Sequence, residues 1–102
     1  MSDKSDRQRP LAGQYWLLWD GDCGFCRRAV AWAQDRDQEG RLAVLPYQQA
    51  PWPPMDEGLA AACSRAVHLR HPDGRLERAG RACLTVLELV GYRRAVPWLR
   101  RW

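Results

Sequence analysis

No run of apolar residues in this chain approaches the roughly 20 that a membrane-spanning helix requires. The opening segment, Met1 to Pro10, is polar and charged and lacks the hydrophobic block of a secretory signal. Together these absences make the cytoplasm the expected location, where structural disulfides are uncommon. The four cysteines therefore point to catalysis, metal binding or burial rather than to a stapled scaffold. Lysine is nearly missing, with Lys4 the only one, so the net charge of +4 comes from arginines. These are scattered along the chain instead of being concentrated on one face, which argues against a nucleic-acid partner. Internal repeats are lacking. At 102 residues there is room for one domain with a single modest core.

What is present centres on Asp20-Gly21-Asp22-Cys23-Gly24-Phe25-Cys26. Tyr15-Trp16-Leu17-Leu18-Trp19 before it reads as a strand buried on both faces. After it, Cys26, Ala29, Val30 and Ala33 share one face of an amphipathic helix, with Arg27, Arg28, Gln34 and Asp35 on the other. Gly40 ends that helix, and Leu42 to Leu45, stopped by Pro46, form a second strand. Two cysteines one helical turn apart are close enough for a disulfide, whose Cα atoms lie roughly 4.4 to 6.8 Å apart. A Cys-x-x-Cys between the strand and helix of such a unit is the setting of a thioredoxin-like redox site.

Residues 1 to 12 read as a disordered lead, and 13–102 as one domain. Pro51-Trp52-Pro53-Pro54 predicts a rigid loop. Met55, Leu59 and Ala62 suggest a short helix. Ala66 to His71 and Arg75 to Arg78 form a hairpin about Pro72-Asp73-Gly74, and Cys83, Val86, Leu87 and Val90 line the core face of a last helix before Gly91. The expected order is β-α-β-α-β-β-α: an α/β, thioredoxin-like fold with a four-stranded mixed sheet flanked by helices. Residues 92–102 form an extension that the pattern leaves unassigned.

Asp20-x-x-Cys23-x-x-Cys26, followed by Arg27-Arg28, Leu45-Pro46, Asp73-Gly74-Arg75, Gly80 and Ala82, resembles the DCC family of thiol–disulfide oxidoreductases over most of residues 15 to 91. The resemblance implies a thioredoxin-like fold and redox activity. One departure is that Cys63-Ser64-Arg65-Ala66, before the third strand, lacks the proline that thioredoxins carry there.

The candidate catalytic residues are Cys23, Cys26, Asp20 and Asp22. Cys23, at the start of the helix, has its thiolate favoured by free backbone N–H groups and the helix dipole, and is the expected nucleophile. Cys26, one turn on and more buried, is the expected resolving thiol. Asp20 and Asp22 oppose a thiolate by their charge; either could pass a proton to or from Cys26, or simply brace the turn. Arg27 and Arg28 either raise the local positive potential or are solvated surface.

The expected activity is thiol–disulfide exchange with a disulfide-containing protein or a low-molecular-weight thiol, recharged by an unknown electron donor, with no cofactor beyond the dithiol and no metal. Two alternatives stand beside it. One is a zinc module joining Cys23 and Cys26 to Cys63, His68 or His71, against which stands the lack of a second close ligand pair. The other is a non-catalytic adaptor using Trp52, Trp98 and Trp102. Cys63 is expected in helix packing with some chance of facing the dithiol, Cys83 in the core, and His68 and His71 partly exposed on the hairpin.

Overall fold

The computed structural model describes Arg7 and residues 9–91. Strand β1 (Tyr15–Trp19) leads through a tight loop into helix α1 (Gly24–Arg36), and β2 (Leu42–Pro46) returns beside β1. A 3-10 turn (Tyr47–Gln49) and the proline loop then lead to α2 (Glu57–Cys63). The hairpin β3 (His68–Arg70) and β4 (Leu76–Arg78) follows, and α3 (Ala79–Leu89) is the last element among the described residues. This is the expected order of elements. The sheet runs β2-β1-β3-β4, with β1 and β2 parallel and the other two neighbours antiparallel, the thioredoxin-like arrangement.

The period of two in β1 sorts the core into two layers. Leu17 and Trp19 point to the side of α1 and α3, where they meet Val30, Ala33, Leu69, Ala82, Val86 and Leu89. Trp16 and Leu18 point to the other side, against Ala50, Met55 and Cys63. Leu18 and Leu69 are wholly enclosed, each contributing about 1.5 to 3 kcal/mol of burial. Asp37 fastens α1 to β2, its two carboxylate oxygens accepting from the backbone N–H groups of Arg41 and Leu42, each at 2.9 Å. Asp56 caps α2 by accepting from Leu59 N at 2.7 Å.

Three expectations on side chains need correction. Cys83 is exposed: the buried stripe of α3 is Ala82, Thr85, Val86 and Leu89, one position away from the expected register. The helix starts at Ala79 and leans on β4, so Thr85 turns inward to a polar partner and Cys83 turns toward the gap between α1 and α3. His68 and His71 are both buried, not half exposed. His68 Nδ1 bonds the Ala66 carbonyl at 2.9 Å, and His71 is enclosed by Tyr15, Arg75 and Glu77.

Part of the N-terminal lead is attached to the loop after β2. Arg7 donates to the carbonyls of Gln48 and Ala50 at 2.7 and 3.0 Å, and Arg9 to that of Pro53 at 2.7 Å. The expected extension at 92–102, with Trp98 and Trp102, lies outside the described residues.

Candidate active site

The loop between β1 and α1 is built by its own short polar groups. Cys23 N donates to Asp20 O at 3.0 Å, closing the turn, and Asp22 N donates to Asp20 Oδ1 at 3.0 Å. Cys23 has extended backbone angles and is the N-cap of α1, with its carbonyl taking the first helical bond, from Arg27 N at 3.0 Å. A sulfur therefore stands where Ser, Thr, Asp or Asn ordinarily caps a helix.

That placement links the two cysteines. Cys23 Sγ accepts from the Cys26 backbone N–H at 3.2 Å. The Cys26 N–H and thiol both favour a charged Cys23 sulfur. Its pKa is lowered, first by the Cys26 thiol and then by the Cys26 backbone N–H, with the Asp20 charge acting weakly against them. Cys26 moves the other way, pushed up to about 11, because its proton is held in the bond to Cys23, because it is more buried, and because the charges on Cys23 and Asp20 repel a second anion. Both thiols are free. Loss of the pair's first proton is thus favoured at Cys23 and disfavoured at Cys26.

Asp20 is held as a carboxylate. The Asp22 backbone N–H and the Gln48 side chain, whose Nε2 donates to Asp20 Oδ1 at 2.8 Å, lower its pKa. Asp22 is exposed and joins this network through its backbone N–H. The structure therefore brings Cys23, Cys26 and Asp20 together and leaves the Asp22 side chain at the rim. Cys63 lies on the far side of the sheet, among Trp16, Leu18 and Met55, and is not near the dithiol. Among the described residues no three His, Cys, Asp or Glu side chains gather as metal ligands.

Sequence reasoning missed Gln48. Its side chain spans the loop: besides the bond to Asp20, Gln48 Oε1 accepts from Gly21 N at 3.1 Å. The signal was available in principle, since parallel pairing of Trp19 with Pro46 sets the residues after β1 beside the residues after β2. Arg27 was noted only for its charge. It also braces the loop, donating to Gly21 O at 2.8 Å, with its guanidinium 5.7 Å from the centre of the Trp19 ring.

Beside the dithiol runs an apolar groove of about 290 Å³ between α1 and α3, into which Cys26 and Cys83 both face together with Phe25, Trp32, Val67 and Leu87. Phe25, between the two cysteines, is 80 % exposed, a large apolar ring left to solvent at the rim of the site. Val67, just before β3, lines the same groove.

A family model described as DCC1-like thiol-disulfide oxidoreductase matches residues 17–102. No curated protein and no solved structure matches the chain.

Proposed function

Because the chain belongs to the DCC1-like thiol-disulfide oxidoreductase family, we propose that it exchanges disulfides through the Cys23/Cys26 pair, with Cys23 as nucleophile and Cys26 as resolving thiol. The observation that carries this reading is the placement of Cys23 as the N-cap of α1, its sulfur accepting from the Cys26 backbone N–H at 3.2 Å. A thiolate on Cys23 attacks one sulfur of a substrate disulfide, forming a mixed disulfide and expelling a substrate thiolate. Cys26 then gives up its proton, for which the expelled thiolate is the natural acceptor, and attacks Cys23 Sγ. The internal disulfide closes and the second substrate sulfur leaves as a thiolate, which takes its proton from solvent. Two electrons have passed to the substrate, and an external dithiol returns them.

Asp20, held ionised by Gln48 and the Asp22 N–H, is a positioning residue in this scheme. It fixes the turn that presents Cys23, and its charge opposes a second thiolate on Cys26. Asp22 serves the turn through its backbone. The exposed Phe25 ring and the groove beside Cys26 favour a disulfide with an apolar flank, as in a protein substrate, and we place the reaction in the cytoplasm, where the dithiol is kept reduced. The test is trapping. Cys26→Ser incubated with a model disulfide accumulates a mixed disulfide at Cys23, seen by mass spectrometry, whereas Cys23→Ser accumulates none. Trapping at Cys26 instead would reverse the assignment, and trapping at neither would end it.

A further inference from the structure

A second concavity, of about 940 Å³, lies between β4, α3 and the start of β1, and shares no lining residue with the groove beside the dithiol. Tyr15 and Arg41 mark its place at the end of the sheet opposite the Cys23 loop. Four arginines, Arg41, Arg75, Arg78 and Arg81, line it against two glutamates, a surplus of two positive charges.

The floor of the cleft is a fixed polar chain. Thr85 Oγ1 donates to Glu77 Oε1 at 2.5 Å, His71 Nε2 meets the same oxygen at 2.6 Å, and an Arg75 N–H donates to His71 Nδ1 at 3.1 Å. Arginine has no acceptor, so Nδ1 must accept, and the proton of a neutral His71 sits on Nε2 facing Glu77. The Tyr15 ring packs edge-on to His71 with centroids 4.9 Å apart. Glu77 is thereby committed to His71 and Thr85, and Arg75 is steadied with most of its donors unspent. Asp73, in the hairpin turn, attracts Arg75 but does not line the cleft.

Arg78 and Arg81 put two cations at the N-terminus of α3. Arg78 is the extended N-cap of α3 and Arg81 stands in its first turn, and both line the cleft. The positive end of the helix dipole lies there too, with no acidic residue in the first turn and no side-chain cap. Both are exposed, and among the described residues no hydrogen bond or ion pair holds either guanidinium, so their donors are available to a ligand. An anion seated there would complement the positive end of the helix dipole, and arginine forks match phosphate and carboxylate oxygens in pairs.

We propose that this cleft binds a compact multivalent oxyanion, the phosphate or polycarboxylate portion of a small molecule, gripped by Arg75, Arg78 and Arg81. Its concavity and volume fit a small ligand better than a nucleic-acid strand, which needs an extended basic track. The experiment is calorimetric titration of the full chain with pyrophosphate, with citrate and with a single-stranded oligonucleotide, on wild type and on Arg78→Ala/Arg81→Ala. The expected result is saturable one-to-one binding of pyrophosphate, citrate or both, weakened at least tenfold in the double variant, with its thermal midpoint not lowered and alkylation of Cys23 unchanged. Pyrophosphate alone would identify a phosphate ligand, citrate alone a carboxylate one. The proposal is overturned if neither small anion saturates at about 1 mM, or if the variant binds as wild type does. It is equally overturned if the oligonucleotide binds more tightly than either anion and loses that binding in the same variant. None of these results bears on the dithiol, so failure here leaves the redox reading intact.

Discussion

Two glycines flank Asp22 and Cys23, and replacing each by alanine should move stability in opposite directions. A Cβ on Gly21 would stand 3.1 Å from Pro46 Cβ and 3.3 Å from Gln48 Oε1. Carbon atoms settle at about 3.5 to 4.0 Å, so something must give. Pro46 is held by the parallel register opposite Trp19, which leaves Gln48 as the group that moves. Moving it breaks the Gly21 N to Gln48 Oε1 bond of 3.1 Å and slackens the grip on Asp20. A lost neutral hydrogen bond costs about 1 kcal/mol, and overpacking at a crowded site about 1 to 3 kcal/mol. The expected total for Gly21→Ala is thus about 2 kcal/mol, or a fall in thermal midpoint of roughly 8 to 16 °C in a domain of this size. Gly24, the first residue of α1, has nothing within 4 Å of an added Cβ and no positive φ. Gly24→Ala should gain about 0.4 to 1 kcal/mol by restricting the unfolded chain. Thermal unfolding of the reduced proteins measures both, and iodoacetamide labelling of Cys23 should slow in the Gly21 variant alone. Equal midpoints for the two variants would refute the view that Gln48 clamps the loop against Gly21.

The remaining expectations concern charge and strain. Because the Cys26 thiol and N–H hold the Cys23 pKa down while Cys26 sits near 11, iodoacetamide at neutral pH should label Cys23 first. Labelling of both at similar rates would contradict the asymmetry. Cys26 and the buried Cys63 are both pushed up to about 11, from 9.0 in an unfolded chain. For a raised pKa the stabilisation is full below the unfolded value and disappears as pH climbs through the folded one. Urea midpoints should therefore fall between pH 9 and about 11, less steeply in Cys63→Ala, and an identical slope in that variant would count against the assignment. Ala79, the first residue of α3, has φ of +51°, a region that costs a residue with a Cβ about 1 to 2 kcal/mol. Ala79→Gly should leave stability unchanged or higher, whereas Ala→Gly inside a regular helix costs about 1 kcal/mol; a thermal midpoint lower than wild type would show that the conformation carries no strain.

The elements that bury a regular stripe were legible in the sequence, because period and punctuation agreed. The Tyr15–Trp19 run, the glycine-flanked Cys-x-x-Cys and the Pro72-Asp73-Gly74 turn each state their conformation locally, and the parallel pairing of the first two strands follows from right-handed crossover. The dithiol was legible for the same reason. What escaped depended on partners distant in sequence. The stripe of α3 was placed one residue off, since nothing local reveals that Thr85 turns inward to satisfy Glu77. His71 looked exposed because its neighbours Tyr15 and Glu77 come from β1 and β4. Gln48 is chemically no different from Gln49. Only the parallel register of β1 and β2 brings it to the loop that carries Cys23.

The central claim, that Cys23 and Cys26 form one reversible redox pair, is tested most directly by equilibrating the protein across a glutathione series, quenching the thiols and mapping disulfides by mass spectrometry. The account predicts one two-electron transition with a Cys23–Cys26 bond, absent from Cys23→Ser, while Cys63, enclosed behind the sheet, stays reduced. A chain in which no Cys23–Cys26 bond forms at any ratio, or in which a different pair closes first, would contradict it.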